Sequence, residues 1–366
     1  MIFENIKEPT LILDKSIAIA NIKKMVEKAQ KNNLIFRPHF KTHQSADIGE
    51  WFRRFGVDKI TVSSVKMAKY FADAGWKNIT IAFPLNIREI TDIQELAKKI
   101  ELNILISSVE HIEKINFIIK SQLNFFIKID AGYNRAGILA DDFTTIEKIL
   151  NYSKNNKLLN FKGFLSHYGN TYSAENKQDV LKIFNNSNEK LKVLKQKYIN
   201  SYPDLKISIG DTPSCSIADN FSGIDEIRPG NFIFYDLMQL NLGVCKYNNI
   251  AVKMLCPVID KYPQRNEILI YGGAVHFSKE FIIDKNGIKN FGQIINLYKS
   301  EEKTSVKNTY IKNLSQEHGI VSAEKNAFNK IEIGDLLEII PVHSCLSANL
   351  VKKYLSTDNI TIQIMK

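Results

Sequence analysis

The amino-acid sequence predicts an α/β fold: a (β/α)8 barrel of the TIM type followed by a second, mostly β, C-terminal domain. Two observations carry this expectation. Up to about Leu240, short apolar runs alternate with amphipathic helical stretches. Runs that apolar belong to parallel strands buried on both faces, and eight of them suit a closed barrel better than an open sheet. Beyond Leu240 the helical stretches give way to strands punctuated by Gly, Pro and Asn, which marks a separate β-domain. The expected boundaries are 12–242 for the barrel and 243–366 for the β-domain, with residues 1–11 joining the latter.

The elements follow in order. Leu11-Ile12-Leu13 reads as a strand, and Asp14 as the N-cap of a helix reaching about Asn32. The eight barrel strands are the run ending in Lys41, then Lys59–Ser63, Asn78–Phe83, Leu102–Ser107, Phe125–Asp130, Phe161–Ser166, Lys206–Ile209 and Glu226–Arg228. Helices are expected at Ala46–Arg54, Val65–Ala74, Ile87–Lys99, Val109–Lys120, Asp141–Tyr152, Lys177–Asn200 and, very short, Cys215–Asn220. The β-domain strands are Ile250–Ile259, Glu267–Gly272, Thr309–Leu314, Gly319–Ala323, Asp335–Ile340 and Ile360–Met365.

Bulk composition narrows the function classes. Apolar residues make up 44% and charged residues 24% of the 366, the balance of a soluble globular enzyme. The net charge of +10 comes from interspersed lysines and fits a preference for small anions. No basic stripe interleaved with aromatics is present, so no nucleic-acid partner is expected. No apolar run is long enough to span a bilayer, and the N-terminus lacks a signal-peptide pattern, so no membrane association is expected. The four cysteines are widely spread, without a CxxC pair, and a cytoplasmic location is the expectation.

In such barrels the functional groups sit where strands end. The first such end is Phe36-Arg37-Pro38-His39-Phe40-Lys41-Thr42-His43. A lysine among Arg37, His39 and His43 sits in a positive field, which favours its neutral, nucleophilic form. The plainer alternative is a solvated loop lysine. Gly210-Asp211-Thr212-Pro213 and Pro229-Gly230-Asn231 follow the seventh and eighth strands, the recurrent barrel position for a phosphate. Glycine lets backbone N–H groups approach an anion, and the helix start after Thr212 adds a favourable dipole. A phosphate anchor plus a rim lysine implies pyridoxal 5′-phosphate, with Lys41 as its covalent anchor. His167 is a candidate to stack on or hydrogen-bond the cofactor ring, or else a strand-end histidine satisfied by backbone. Arg135 either orders the lysine's surroundings or pairs structurally with Asp130. In the β-domain, His343 and Cys345 point to one face if the chain is extended, and imidazole plus thiolate suits Zn²⁺. The alternative there is a buried cysteine beside a surface histidine.

With these residues assembled, the chain resembles the D-threonine aldolase / D-serine dehydratase family, fold-type III enzymes sharing the alanine racemase-like barrel. The resemblance rests on Arg37-Pro38-His39-Phe40-Lys41-Thr42-His43, on Asp130-Ala131-Gly132 with Arg135 and Gly137, and on His167-Tyr168-Gly169-Asn170-Thr171-Tyr172. It extends to Gly210-Asp211-Thr212-Pro213, Arg228-Pro229-Gly230-Asn231, Glu317-His318-Gly319 and Pro341-Val342-His343-Ser344-Cys345. It implies catalytic Lys41 and a cofactor pocket including His39, Lys41, Arg135, His167, Tyr172, Gly210, Asp211, Thr212, Gly230 and Asn231. It also implies a divalent metal, Zn²⁺, on His343 and Cys345. The implied activity is a metal-dependent lyase on D-β-hydroxy amino acids, by dehydration or by aldol cleavage. The alternative is a metal-independent amino-acid racemase, for which Tyr271 and Tyr310 are loose candidates for a second base. By analogy with barrels that share sites with a neighbour's β-domain, a homodimer is expected.

Overall fold

The computed structural model describes residues 5–284, 287–299 and 302–366, so the first four residues of the 1–11 stretch lie outside the description. The chain forms two compact units. One comprises Lys23–Lys41 and Ile48–Gly230; the other comprises Met1–Ile22, Thr42–Asp47 and Asn231–Lys366.

In the first unit each short apolar run becomes a strand, followed by a helix. The chain begins β1 (Thr10–Leu13), α1 (Lys15–Lys31), β2 (Ile35–Phe36), α2 (Ala46–Arg53), β3 (Lys59–Val62), α3 (Val65–Asp73) and β4 (Asn78–Pro84). It continues α4 (Ile90–Ala97), β5 (Glu101–Ile106), α5 (Val109–Ile118), β6 (Leu123–Asp130), β7 (Ile138–Leu139), α6 (Phe143–Lys154), β8 (Leu159–Ser166) and α7 (Lys177–Tyr198). Then come β9 (Lys206–Ile209), α8 (Thr212–Ile217) and β10 (Glu226–Ile227). The strand order β2-β10-β9-β8-β6-β5-β4-β3 is parallel throughout. A parallel bridge between His39 and Thr61 joins the two ends and closes the eight-stranded barrel. All eight expected strands are present.

Helix starts follow local chemistry. Ser64, Ser108, Asp142 and Asn176 each accept a backbone N–H from the first turn of α3, α5, α6 and α7. Leu105, Phe126 and Leu165 form one buried cluster from β5, β6 and β8. Phe40 is fully buried, with its ring 4.9–5.0 Å from Phe52, Phe71 and Trp76. It pins the chain between His39 and Lys41.

A polar chain links the opposite ends of the same strands. Arg37 donates to Glu226 at 2.7 Å and to Asn78 at 2.5 Å, and Asn78 donates to Glu101 at 2.6 Å. Asn124 donates to Glu101 at 3.5 Å, and Asn160 to Asn124 at 2.9 Å. These side chains sit at the beginnings of β4, β5, β6, β8 and β10. Arg37 therefore turns away from the rim, its charge matched by a buried carboxylate. The sequence placed it beside Lys41, whereas its hydrogen bonds run to Glu226 and Asn78.

The second unit is largely antiparallel. After α9 (Leu237–Asn241) it runs β11 (Val252–Tyr262), β12 (Glu267–Tyr271), α10 (Ala274–Phe277), β13 (Ile282–Ile283), β14 (Lys289–Asn290), β15 (Gly292–Lys299) and β16 (Glu302–Ser305). There follow β17 (Tyr310–Leu314), β18 (His318–Ser322), α11 (Lys325–Lys330), β19 (Leu336–Pro341), α12 (Ser344–Val351), β20 (Lys353–Ser356) and β21 (Thr361–Gln363). The order is β12-β18-β17-β15-β19-β11-β1-β20-β21, and β11 also pairs with β12, making a ring of six strands. β1 pairs antiparallel with β11 and parallel with β20, so the first strand belongs to this sheet. The sequence reading did not predict β15, β16 or α12.

Candidate active site

The barrel rim gathers cations. Lys41 is exposed at the end of the β2 segment. Its charge and those of Arg135 and Arg228 bear on His39; burial is the larger cause, and together they hold that imidazole far below its usual range. His167, one residue past β8, is lowered in the same way, by burial first and then by Lys41, Arg135 and Lys128. Both rings are therefore neutral near pH 7. His167 Nδ1 contacts the Gly210 carbonyl oxygen. A carbonyl only accepts, so Nδ1 carries the proton and Nε2 keeps its lone pair.

The aromatic side chains extend this set. The Tyr133 ring stands 5.9 Å from His167 edge-on, and the Arg135 guanidinium lies 5.1 Å over Tyr133. Tyr172 lies 6.3 Å from His167, and its hydroxyl accepts Thr212 N–H at 3.2 Å.

The carboxylates nearby have other partners as well, although Asp130 bears on Lys128 and Glu226 on Arg228. Asp130 Oδ1 accepts the amides of Gly132, Tyr133 and Asn134 at 2.8–3.1 Å, fixing the turn that carries Arg135. It does not pair with Arg135. Asp211 caps α8 through Ser214 N at 2.7 Å and accepts Thr171 Oγ1 at 3.0 Å. Its burial raises its carboxyl to about 6. The first turn of α8 is thus largely satisfied internally: Asp211 takes Ser214 N–H, Tyr172 takes Thr212 N–H, and Pro213 has none. Gly210 is required by space, since a Cβ there would stand 2.9 Å from Arg228 Cβ and carbonyl oxygen.

In the second unit, His343 is the extended N-cap residue of α12, and Cys345 lies in the helix's first turn. The pair is thus split across a strand-to-helix corner; it is not a continuous strand. Cys345 Sγ lies 3.3 Å from Thr42 Oγ1 and receives Asn231 Nδ2 at 3.5 Å. His343 Nδ1 lies 3.8 Å from the buried carboxylate of Asp236. The Asn231 side chain, expected near a phosphate, is engaged with Asp236, Ser344 and Cys345. His43 is buried here, its carbonyl accepting from Tyr354 OH at 2.9 Å and its Nδ1 from Ser45 N at 3.2 Å. Among the described residues, no three His, Cys, Asp or Glu side chains converge as a metal cage.

The chain is similar to known proteins. The family described as "Alanine racemase, N-terminal domain" matches residues 14–237, and "Putative serine dehydratase domain" matches 251–357. The D-serine dehydratase of Dictyostelium discoideum is 31% identical over 400 aligned positions, covering 99% of this chain and 96% of that protein. This chain belongs to the D-serine dehydratase-like family. A second member is similar too: the D-threo-3-hydroxyaspartate dehydratase of Delftia sp. (strain HT23), 24% identical over 92% of this chain and 90% of that protein. The solved Delftia structure superposes with a TM-score of 0.89 at 23% identity, covering 99% and 98% of the two chains, and shows the shared fold.

Two residues of this family member escaped the sequence reading as site candidates. Lys128 is 6% exposed on β6, and burial, then Arg228 and Arg135, lower it to about 7. Arg228 was read only as part of a motif. It is buried, donating to Ser208 Oγ and the Ser166 carbonyl at 2.7 Å each. The signal for Lys128 was its parity: it alternates with Phe126, which belongs to the buried cluster.

Proposed function

We propose that this chain is a pyridoxal 5′-phosphate- and divalent-metal-dependent lyase that eliminates water from D-β-hydroxy amino acids such as D-serine. The observation that carries the reading is the gathering of Lys41, Lys128, Arg135 and Arg228 with two neutral imidazoles, where Asp130 is spent on backbone amides. Such a cation-rich site fits a phosphorylated cofactor and a carboxylate substrate. The donor set of the second unit fits a zinc-type ion, since a thiol receiving a hydrogen bond from Asn231 is suited to act as thiolate. When bound, the cofactor would supply an electron sink for charge at Cα, and the metal a Lewis acid at the β-hydroxyl.

The remaining chemistry falls to this chain's side chains. Lys41, exposed to solvent, anchors the cofactor and then carries the proton at Cα. His39, Tyr172, Gly210, Thr212 and Gly230 frame the cofactor, with the Tyr172 hydroxyl accepting Thr212 N–H. His167, its tautomer fixed by Gly210, offers Nε2 without adding charge. Arg135 contributes a cation held over Tyr133. His343 and Cys345 hold the metal. Thr42, which follows Lys41 in sequence, contacts the Cys345 sulfur. The dehydratase activity of the two relatives favours elimination over aldol cleavage and over racemisation. A cytosolic homodimer with a barrel domain and a β-domain completes the proposal.

The test is chelation. Dialysis against EDTA should stop pyruvate and ammonia release from D-serine, leave the bound cofactor's visible absorbance in place, and be reversed by Zn²⁺. Undiminished turnover after chelation refutes the metal role. Racemised alanine without pyruvate from D-serine refutes the lyase.

A further inference from the structure

His343 and Cys345 need a device that aims them, because a strand-to-helix corner does not fix either side chain by itself. The described structure contains such a device. Asp236, the N-cap of α9, is 1% exposed. Its Oδ1 accepts Gln239 N at 3.0 Å. Its Oδ2 accepts Asn231 Nδ2 at 2.6 Å, Ser344 N at 3.0 Å and Ser344 Oγ at 3.3 Å. The same oxygen stands 3.8 Å from His343 Nδ1. Ser344 is the residue between the two candidate ligands, and Asn231 reaches Cys345 Sγ at 3.5 Å. Met238 N also donates to the Val342 carbonyl at 3.2 Å, tying α9 to the same corner. One buried carboxylate thus faces the histidine, holds the backbone between the pair, and orients the amide that donates to the thiol.

We propose that Asp236 is the positioning carboxylate of this metal site. With the ion bound, closing the 3.8 Å between them to a hydrogen bond would let Asp236 accept from His343 Nδ1–H and leave Nε2 to face the ion. It holds Asn231 so that the amide supports Cys345 as thiolate. The inference rests on the metal reading above and adds to it the residue that sets ligand geometry. Partners of this kind fix the tautomer of a ligating imidazole and raise its basicity, and their loss weakens metal binding by roughly 10- to 100-fold.

The experiment measures zinc affinity by chelator competition in cofactor-loaded wild type, Asp236→Asn and His343→Ala. It also records the thiolate-to-cobalt charge-transfer band after Co²⁺ substitution. We expect Asp236→Asn to bind zinc roughly 10- to 100-fold more weakly, with a shifted cobalt band, and His343→Ala to lose tight binding. Asp236→Asn within twofold of wild type, with the same band, would show a fold-holding role only and overturn the inference. Loss as complete as in His343→Ala would make Asp236 a ligand and overturn it equally. If wild type itself binds no zinc, the metal reading has failed and the inference with it. Because Asp236→Asn can fail to fold, histidine-selective ¹⁵N spectra of zinc-loaded wild type provide the second measurement. A proton on His343 Nδ1 supports the inference, and one on Nε2 refutes it.

Discussion

Replacing Lys128 with methionine tests the electrostatics of the barrel interior. The amine is buried, is held near 7 by burial and by Arg228 and Arg135, and donates only to the Ile129 carbonyl, at 3.0 Å. In the unfolded chain the same amine titrates near 10.5, the ordinary lysine value. Between those values the unfolded state binds more protons than the folded one. The wild-type barrel therefore gains stability as pH rises from about 7 to about 10.5. Integrating over that window, the charge penalty is about 4 kcal/mol at pH 7 and about 1 kcal/mol at pH 10. Methionine matches the stem and carries no charge, so Lys128→Met should exceed wild type in stability at pH 7. The excess should narrow by about 3 kcal/mol at pH 10. Any constant effect of exchanging amine for thioether cancels in that difference. Urea unfolding followed by tryptophan fluorescence reports on this unit, since Trp51 and Trp76 are both buried in it. A stability gap that does not change with pH would refute the reasoning.

Other substitutions probe the frame. Arg37→Met should destabilise the barrel by about 3–5 kcal/mol in the same assay, because it strands the buried Glu226 carboxylate. Gly210→Ala forces a Cβ within 2.9 Å of Arg228; we expect a loss of about 1–3 kcal/mol and weaker cofactor retention by absorbance titration. Lys41→Ala should fold normally, since the side chain is exposed, yet show no visible absorbance from lysine-bound cofactor.

The barrel was legible because its strands are continuous apolar runs at regular spacing, a pattern that few folds share. β15 was not, because a register shift between Ile294 and Asn296 sets two isoleucines side by side and breaks the alternation that marks a strand. The corner at Ser344 was hidden for a related reason. The sequence shows a histidine and a cysteine two apart, and only the backbone reveals that α12 begins between them. Strand ends showed where Lys41, His167 and Arg135 belong. They could not show that Arg37 faces away toward Glu226, since direction along a barrel depends on which strand supplies the partner. Nor did local pattern flag Asp236, whose partner Ser344 lies 108 residues away.

Among the described residues, the barrel's hoop is closed by one backbone bridge. Where neighbouring strands share two or more residue pairs, the seam between the β2 segment and β3 is one bridge, His39 to Thr61, made by Phe40 N to Thr61 O and Thr61 N to Pro38 O at 2.9 Å each. Thr61 Oγ1 adds a third hydrogen bond, to the Arg37 carbonyl at 2.9 Å, and a seam this short is the place where a cylinder of strands first breathes. Lys41 is two residues past that bridge. A ligand bound to its amine acts as a rivet there, and mass action would transmit its affinity to the seam. The amides of Phe40 and Thr61 should therefore exchange with solvent more slowly once the cofactor is loaded.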